Sequence, residues 1–247
     1  LVAEGKLDIA VIDECVRRVL ELKNDLGLFE NPYVDETLAP KVVQCDEHLA
    51  LAEEIARETF VLLKNKGNVL PLNDTTKKVY IASFTGKGAN DGTVATLKAQ
   101  FEAKGFTVVD DTDDADIAYI DIQPKYNGTT GSNTAMGVID LVEGLDVPAI
   151  WTSAVRRDGV TQATQIPTGN LIEVTTVEEI DEIEDIAEEM HEKGGVVIAS
   201  IKVTQPWILS NLEPFCDGLI AQFGVPEKAQ IAVVTGEYNP TGKLPIT

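Results

Sequence analysis

The sequence predicts an α/β protein with a mostly parallel sheet covered by helices, and three observations lead there. From Lys77 onward, short apolar runs alternate with amphipathic, helix-period segments. The runs "VYIASF" and "ADIAYIDI" are apolar without alternation, as strands buried on both faces are. Glycines punctuate the joins, as in "AKGFTVV" and "EKGGVVIASI".

Taken in order, "LDIAVIDECVRRVLELKNDLGLF" sets Ile9, Ile12, Val16, Val19 and Leu26 near helical spacing, with Asp8 as N-cap and Gly27 as a left-handed stop. "NPYVDETLAP" reads as an extended linker. "DEHLALAEEIARETFVLLKN" predicts a second helix, capped by Asp46, striped by Ala52, Ile55, Ala56, Phe60 and Leu63, and ending at Lys64 and Asn65, where a cation suits the helix dipole. Val79–Phe84 is a strand. "DGTVATLKAQFEAKGFTVV" reads helix, glycine, strand, and "ADIAYIDI" is the next strand. "VPAIWT" and "NLIEVTT" are further strands. "VEEIDEIEDIAEEMHEKGG" is a helix carrying Ile180, Ile183, Ile186, Ala187 and Met190, followed by a strand from Val196 to Ile201. "PWILSNLEPF" predicts a short helix, "CDGLIAQF" a strand and "PEKAQIAVVTG" the last helix. The zone from Asn127 to Thr176, with "NGTTGSN", "VRRDGV" and "QATQIPTGN", follows neither period.

Composition narrows the function. The 247 residues are 44% apolar, enough for a real core. Asp and Glu number 41 against 20 Lys and Arg, a net charge of −21, which disfavours nucleic acid and anionic membrane surfaces as partners. No apolar run is long enough to span a membrane. "LVAEGKLDIA" shows no signal peptide, which favours the cytoplasm for the chain as it stands. Cys15, Cys45 and Cys216 are distant from one another and form no ligand spacing with His48 or His191, so no metal site is expected. "SFTGKGAND" sits where a phosphate-cradling turn could, but Asp91 stands where the fingerprint needs glycine, so a plain βα turn is expected. Trp151 and Trp207 are candidates for stacking on a sugar ring, with core packing as the ordinary alternative. Arg156 and Arg157 could clamp an anion or simply lie on a solvated loop.

Three segments in this order resemble glycoside hydrolase family 3: "LGLFENPY", "ARETFVLLKNKGNVLPL" and the terminal "GEYNPTGKLPIT". The opening "EGKLDIAVIDECVRRVLELKNDLGLF" is similar to the helical tail that follows that family's barrel. The resemblance covers roughly residues 1–123 and 178–247. It implies a helical linker over 1–75 and, over 76–247, the family's C-terminal α/β sandwich, cut at its end and separated from an N-terminal TIM-type barrel. It also implies a parent that is a retaining, exo-acting β-glycosidase of β-glucosidase, β-xylosidase or β-N-acetylglucosaminidase type. Such a parent acts on a carbohydrate without metal or organic cofactor, and this chain alone is expected to be inactive.

Retention needs two carboxyl groups about 5–5.5 Å apart. The resemblance puts the nucleophilic Asp on the barrel. In the β-glucosidase branch it puts the acid/base Glu just after a strand like "ADIAYIDI". Here that stretch is "IQPKYNGTTGSN", to which Pro124, Tyr126, Gly131 and Asn133 can be aligned, and no acid lies between Asp121 and Asp140. Gln123 stands near the acid's place, and an amide cannot give the proton. Three readings stay open: an acid from the irregular zone, with Asp158 and Glu143 as candidates; a barrel-loop His, as in the N-acetylglucosaminidase branch; or a parent whose activity is lost or rerouted. A flavodoxin-like nucleotide or small-ligand module and a non-catalytic interaction domain are the alternatives from other classes.

Overall fold

The computed structural model describes residues 1–86, 88–89, 91–125, 134–135, 138–157 and 160–245, with side chains omitted for a few of these and for 149–168. The chain divides into two compact units, Leu1–Leu51 and Ala52–Thr247.

In the first unit, helix α1 (Ile9–Asp25) begins where the Asp8 carboxylate accepts the Ala10 N–H at 2.9 Å. It ends at Gly27, whose φ of +67° only glycine adopts without strain, and the Leu28 N–H closes the end on the Lys23 carbonyl. The predicted stripe exists, but Ile9, Ile12, Val16, Val19 and Leu26 are all exposed. Arg17 and Arg18 pair with Glu14, and Arg17 also with Glu21, along the polar side. A one-turn helix α2 (Ala39–Val42) follows. Helix α3 (Asp46–Glu58) runs into the second unit.

The sequence reading carried this second helix through Asn65, and here the structure differs. The helix stops at Glu58, and Val61–Asn65 is strand β1, antiparallel to a central strand. "FVLLK" fits a helical stripe and a strand equally well, and a free sheet edge beside it decided the matter. Lys64 therefore serves no helix dipole; its Nζ lies 2.6 Å from the Glu213 carboxylate and 2.8 Å from the Glu213 carbonyl.

The body is built from β2 (Lys78–Thr85), β3 (Gly88–Ala89), α4 (Asp91–Ala103), β4 (Thr107–Val109), β5 (Ile117–Gln123), β6 (Thr134–Ala135), β7 (Leu145–Arg157), β8 (Val160–Val174), α5 (Ile180–Glu192), β9 (Val196–Lys202), β10 (Gly218–Gln222) and α6 (Glu227–Val234). The main sheet has the order β1-β10-β9-β5-β2, with β4 parallel and β3 antiparallel to β2. Strands β10, β9, β5 and β2 are parallel neighbours, so the mostly parallel sheet flanked by helices is as the sequence implied.

Alternation along these strands divides the core into two layers. Ile81, Tyr119, Ile198 and Ile220 face α4 and α6, with Leu97, Phe101, Phe106 and Ile231. Phe101 stands edge-on to both Phe106 and Tyr119, with centroids 5.7 and 5.2 Å apart. Phe84, Ile120, Ile122 and Ile201 face α5, with Ile183, Ile186, Ala187 and Met190, the residues whose spacing predicted that helix.

Two further expectations change. "PWILSNLEPF" forms only a single 3-10 turn, Glu213–Phe215, because Pro214 removes an N–H that a longer helix would use. "VPAIWT" and "NLIEVTT" are strands, but they belong to a separate antiparallel sheet, β6-β7-β8, rather than to the parallel one.

Candidate active-site edge

In an open parallel sheet, ligands bind beyond the carboxyl ends of the strands. Those ends are Thr85, Gln123, Lys202 and Gln222. The root of the antiparallel sheet borders them: the Lys125 N–H bonds to the Thr176 carbonyl at 2.8 Å, and the Glu178 N–H to the Thr85 carbonyl at 2.9 Å. The Thr176 hydroxyl donates to the Asp140 carbonyl at 2.8 Å and accepts the Val142 N–H at 2.9 Å. The Gln205 amide holds the Val138 carbonyl at 2.8 Å. The edge is thus a built surface between two sheets within one unit.

Beneath it runs a buried polar row. Ser83, Asp121 and Ser200 stand opposite one another on β2, β5 and β9, all on the α4/α6 face. Asp121 is completely buried, yet no Lys, Arg or His among the described residues pairs with it. Its Oδ2 accepts the Gln123 Nε2–H at 2.7 Å and the Ser83 hydroxyl at 3.3 Å. Among the described residues its Oδ1 and the Ser200 hydroxyl have no hydrogen-bond partner. Burial lifts the Asp121 carboxyl above its ordinary range, against the pull of the Gln123 and Ser83 hydrogen bonds. Nearby, the Tyr119 hydroxyl donates to Gln230 Oε1 at 3.0 Å.

Of the residues singled out by sequence, Gln123 lies at this edge, half-buried. Trp207 is nearly buried in the α5-side core, and its Nε1 donates to the Lys202 carbonyl at 3.2 Å. Glu143 accepts the Glu179 N–H at 2.6 Å, a carboxylate placed at the start of α5. Trp151 pairs with Ile166 through the backbone, and its side chain lies outside the described residues, as do the side chains of Arg156 and Arg157 and the whole of Asp158. Lys87 and Asn90 of the glycine-rich turn, and Tyr126, Gly131 and Asn133 of the aligned stretch, also lie outside them. His191 pairs with Asp217, Nε2 to Oδ2 at 2.8 Å.

A hollow of about 570 Å³ opens at the opposite, amino edge, lined by Asp74, Asp113, Asp114 and Asp116. Two of these four acids are held ionised. Hydrogen bonds from Thr76 hold Asp74 below the ordinary carboxylate range, and the Lys78 N–H and Lys77 do the same for Asp116. Neither carries a proton to give near neutrality. Among the described residues no helix is long and apolar enough to cross a membrane.

The sheet order and its helical covers define an α/β sandwich of the kind found in solved β-glucosidases. The β-glucosidase of Listeria innocua in complex with glucose superposes with a TM-score of 0.64 over 99% of this chain and 32% of its own, at 20% identity, a likeness of fold. Sequence kinship points the same way. A protein of Formosa agariphila that carries the name β-xylosidase is 29% identical over 96% of this chain, and β-glucosidase C of Emericella nidulans is 25% identical over 99%. No protein-family model matches. The curated relatives are β-glucosidases and β-xylosidases, in agreement with the resemblance to glycoside hydrolase family 3, and this chain spans 31% and 32% of the length of those two.

Proposed function

We propose that this chain is the C-terminal sandwich domain, with its helical linker, of a larger retaining β-glycosidase that removes terminal β-linked glucosyl, xylosyl or N-acetylglucosaminyl units. The observation that carries this reading is the span of the kinship: nearly all of this chain matches about a third of enzymes that cleave β-glycosides. The remaining partner is an N-terminal barrel bearing the nucleophilic Asp, and the substrate is a carbohydrate. No metal or organic cofactor is required. The sandwich contributes one wall of the cleft through its carboxyl edge. The exposed stripe on α1, from Ile9 to Leu26, is apolar surface for the barrel to cover. Retention calls for a proton donor and a nucleophile on opposite sides of the bond. The described residues of the edge offer an amide, Gln123, and a carboxyl sealed from solvent, Asp121, so the nucleophile is assigned to the barrel, and the proton donor to the barrel or to the stretch that carries Asp158.

The test is turnover of nitrophenyl β-glucoside, β-xyloside and β-N-acetylglucosaminide by two purified proteins. This chain alone is expected to be inert, and the chain joined to its barrel active. Hydrolysis by the chain alone would overturn the reading.

A further inference from the structure

Strand β5 contains a costly choice. Ile117, Ala118, Tyr119, Ile120 and Ile122 are buried apolar or aromatic neighbours, and an acid stands among them at 0% exposure. A buried acid without a cation is weak evidence for stability, because a well-packed apolar side chain serves the core better. Perturbed acids of this kind cluster at functional sites. Asp121 is two residues from Gln123, hence on the same face of the strand, and it reaches Gln123 directly at 2.7 Å.

That contact has a directional consequence. The Gln123 amide turns its Nε2 toward Asp121, whose Oδ2 accepts the bond. Its Oε1 and its second N–H are then left for other partners, and among the described residues no hydrogen bond to either is present. The Ser83 hydroxyl holds the same Asp121 oxygen from β2, and the Gln230 amide faces the carboxyl from α6, so the acid is braced from neighbouring elements. The result is a half-buried amide in a fixed orientation at the end of β5.

We propose that Gln123 is a substrate-binding residue whose amide hydrogen-bonds a hydroxyl of a neutral sugar, and that Asp121 is the positioning residue that fixes this amide. The proposal rests on the glycosidase reading above and adds which side chains of this domain touch the sugar. A neutral amide offers one acceptor and one donor, which matches adjacent sugar hydroxyls. It gives no advantage to a charged ligand.

The experiment uses the full-length protein and the nitrophenyl β-glycoside it hydrolyses best, comparing wild type with Gln123→Ala, Asp121→Val and the double variant. Loss of one neutral hydrogen bond made equally in ground and transition states raises KM about 3- to 10-fold and leaves kcat within about twofold. Asp121→Val is expected to raise KM by a similar factor without lowering Tm, and the double variant to add nothing to Gln123→Ala. If Asp121→Val does not fold, Asp121→Asn takes its place, with KM raised because an amide at 121 no longer forces one orientation on Gln123. An active wild type whose Gln123→Ala variant keeps its KM, or a double variant whose effects multiply, overturns the proposal alone. A full-length wild type inert toward every β-glycoside overturns the glycosidase reading and this proposal with it.

Discussion

Residues 236–242 fold back on the body, and one substitution there tests the packing account directly. The Tyr238 N–H bonds to the Ala232 carbonyl at 3.1 Å, the Arg57 guanidinium lies 5.9 Å over the Tyr238 ring, and the Gly242 N–H bonds to the Phe60 carbonyl at 3.2 Å. At Gly242 an added Cβ would lie 2.5 Å from the Phe60 carbonyl oxygen, 3.1 Å from its carbon and 3.2 Å from the Glu58 oxygen. All three are backbone atoms at the junction of α3 and β1, with no rotamer to relieve the clash. Overpacking of this kind costs about 1–3 kcal/mol. Replacing glycine also restricts the unfolded chain, which returns about 0.4–1 kcal/mol. Taking the middle of each range, Gly242→Ala is therefore expected to destabilise by about 1–2 kcal/mol. For a unit of about 200 residues, that lowers Tm by roughly 2–8 °C. Thermal unfolding followed by circular dichroism measures it, with urea midpoints as a second reading. An unchanged or raised Tm would refute the reasoning, since the unfolded-state gain would then stand unopposed.

Two further predictions concern the core and the titration of one acid. Phe101→Ala removes a fully buried ring held edge-on by Phe106 and Tyr119, and is expected to cost about 3–5 kcal/mol, read as a lower urea midpoint at unchanged slope. Asp217 is held below the ordinary Asp range: burial pushes its carboxyl up, and the His191 hydrogen bond, the Val197 N–H and Lys66 together outweigh that. A depressed carboxyl contributes stability above its unfolded value, about 3.9, and loses it as pH falls through the lower folded value. Wild type is therefore expected to exceed Asp217→Asn in Tm at pH 5–7, with the gap closing below about pH 4. A gap that widens in acid would contradict the assignment.

Much of the fold was readable in the sequence because its strands are buried on both faces and its helices on one. β2, β5 and β9 announce themselves as mostly apolar runs, and α5 by the spacing of Ile183, Ile186 and Met190. β1 was not readable, because Phe60, Val61 and Leu63 continue the stripe of α3, and only a long-range partner, β10, makes them a strand. The antiparallel pairing of β7 and β8 was not readable, because the polar stretches "VRRDGV" and "QATQIPTGN" between "VPAIWT" and "NLIEVTT" follow neither period. At the site, the missing acid near Gln123 was legible. Its partner Asp121 was not singled out, although a lone acid inside "IAYIDIQ" is itself a signal. That residue is polar where the pattern demands an apolar one, and such local disagreements gather at functional positions.

The central claim is that this domain works as one part of a larger hydrolase. The intact mass of the native gene product, measured on protein from its own cells, tests that most directly. The account predicts a polypeptide about three times the length of this chain, as its relatives are, carrying an N-terminal barrel. A native protein of 26.7 kDa, the mass of this chain alone, would contradict it.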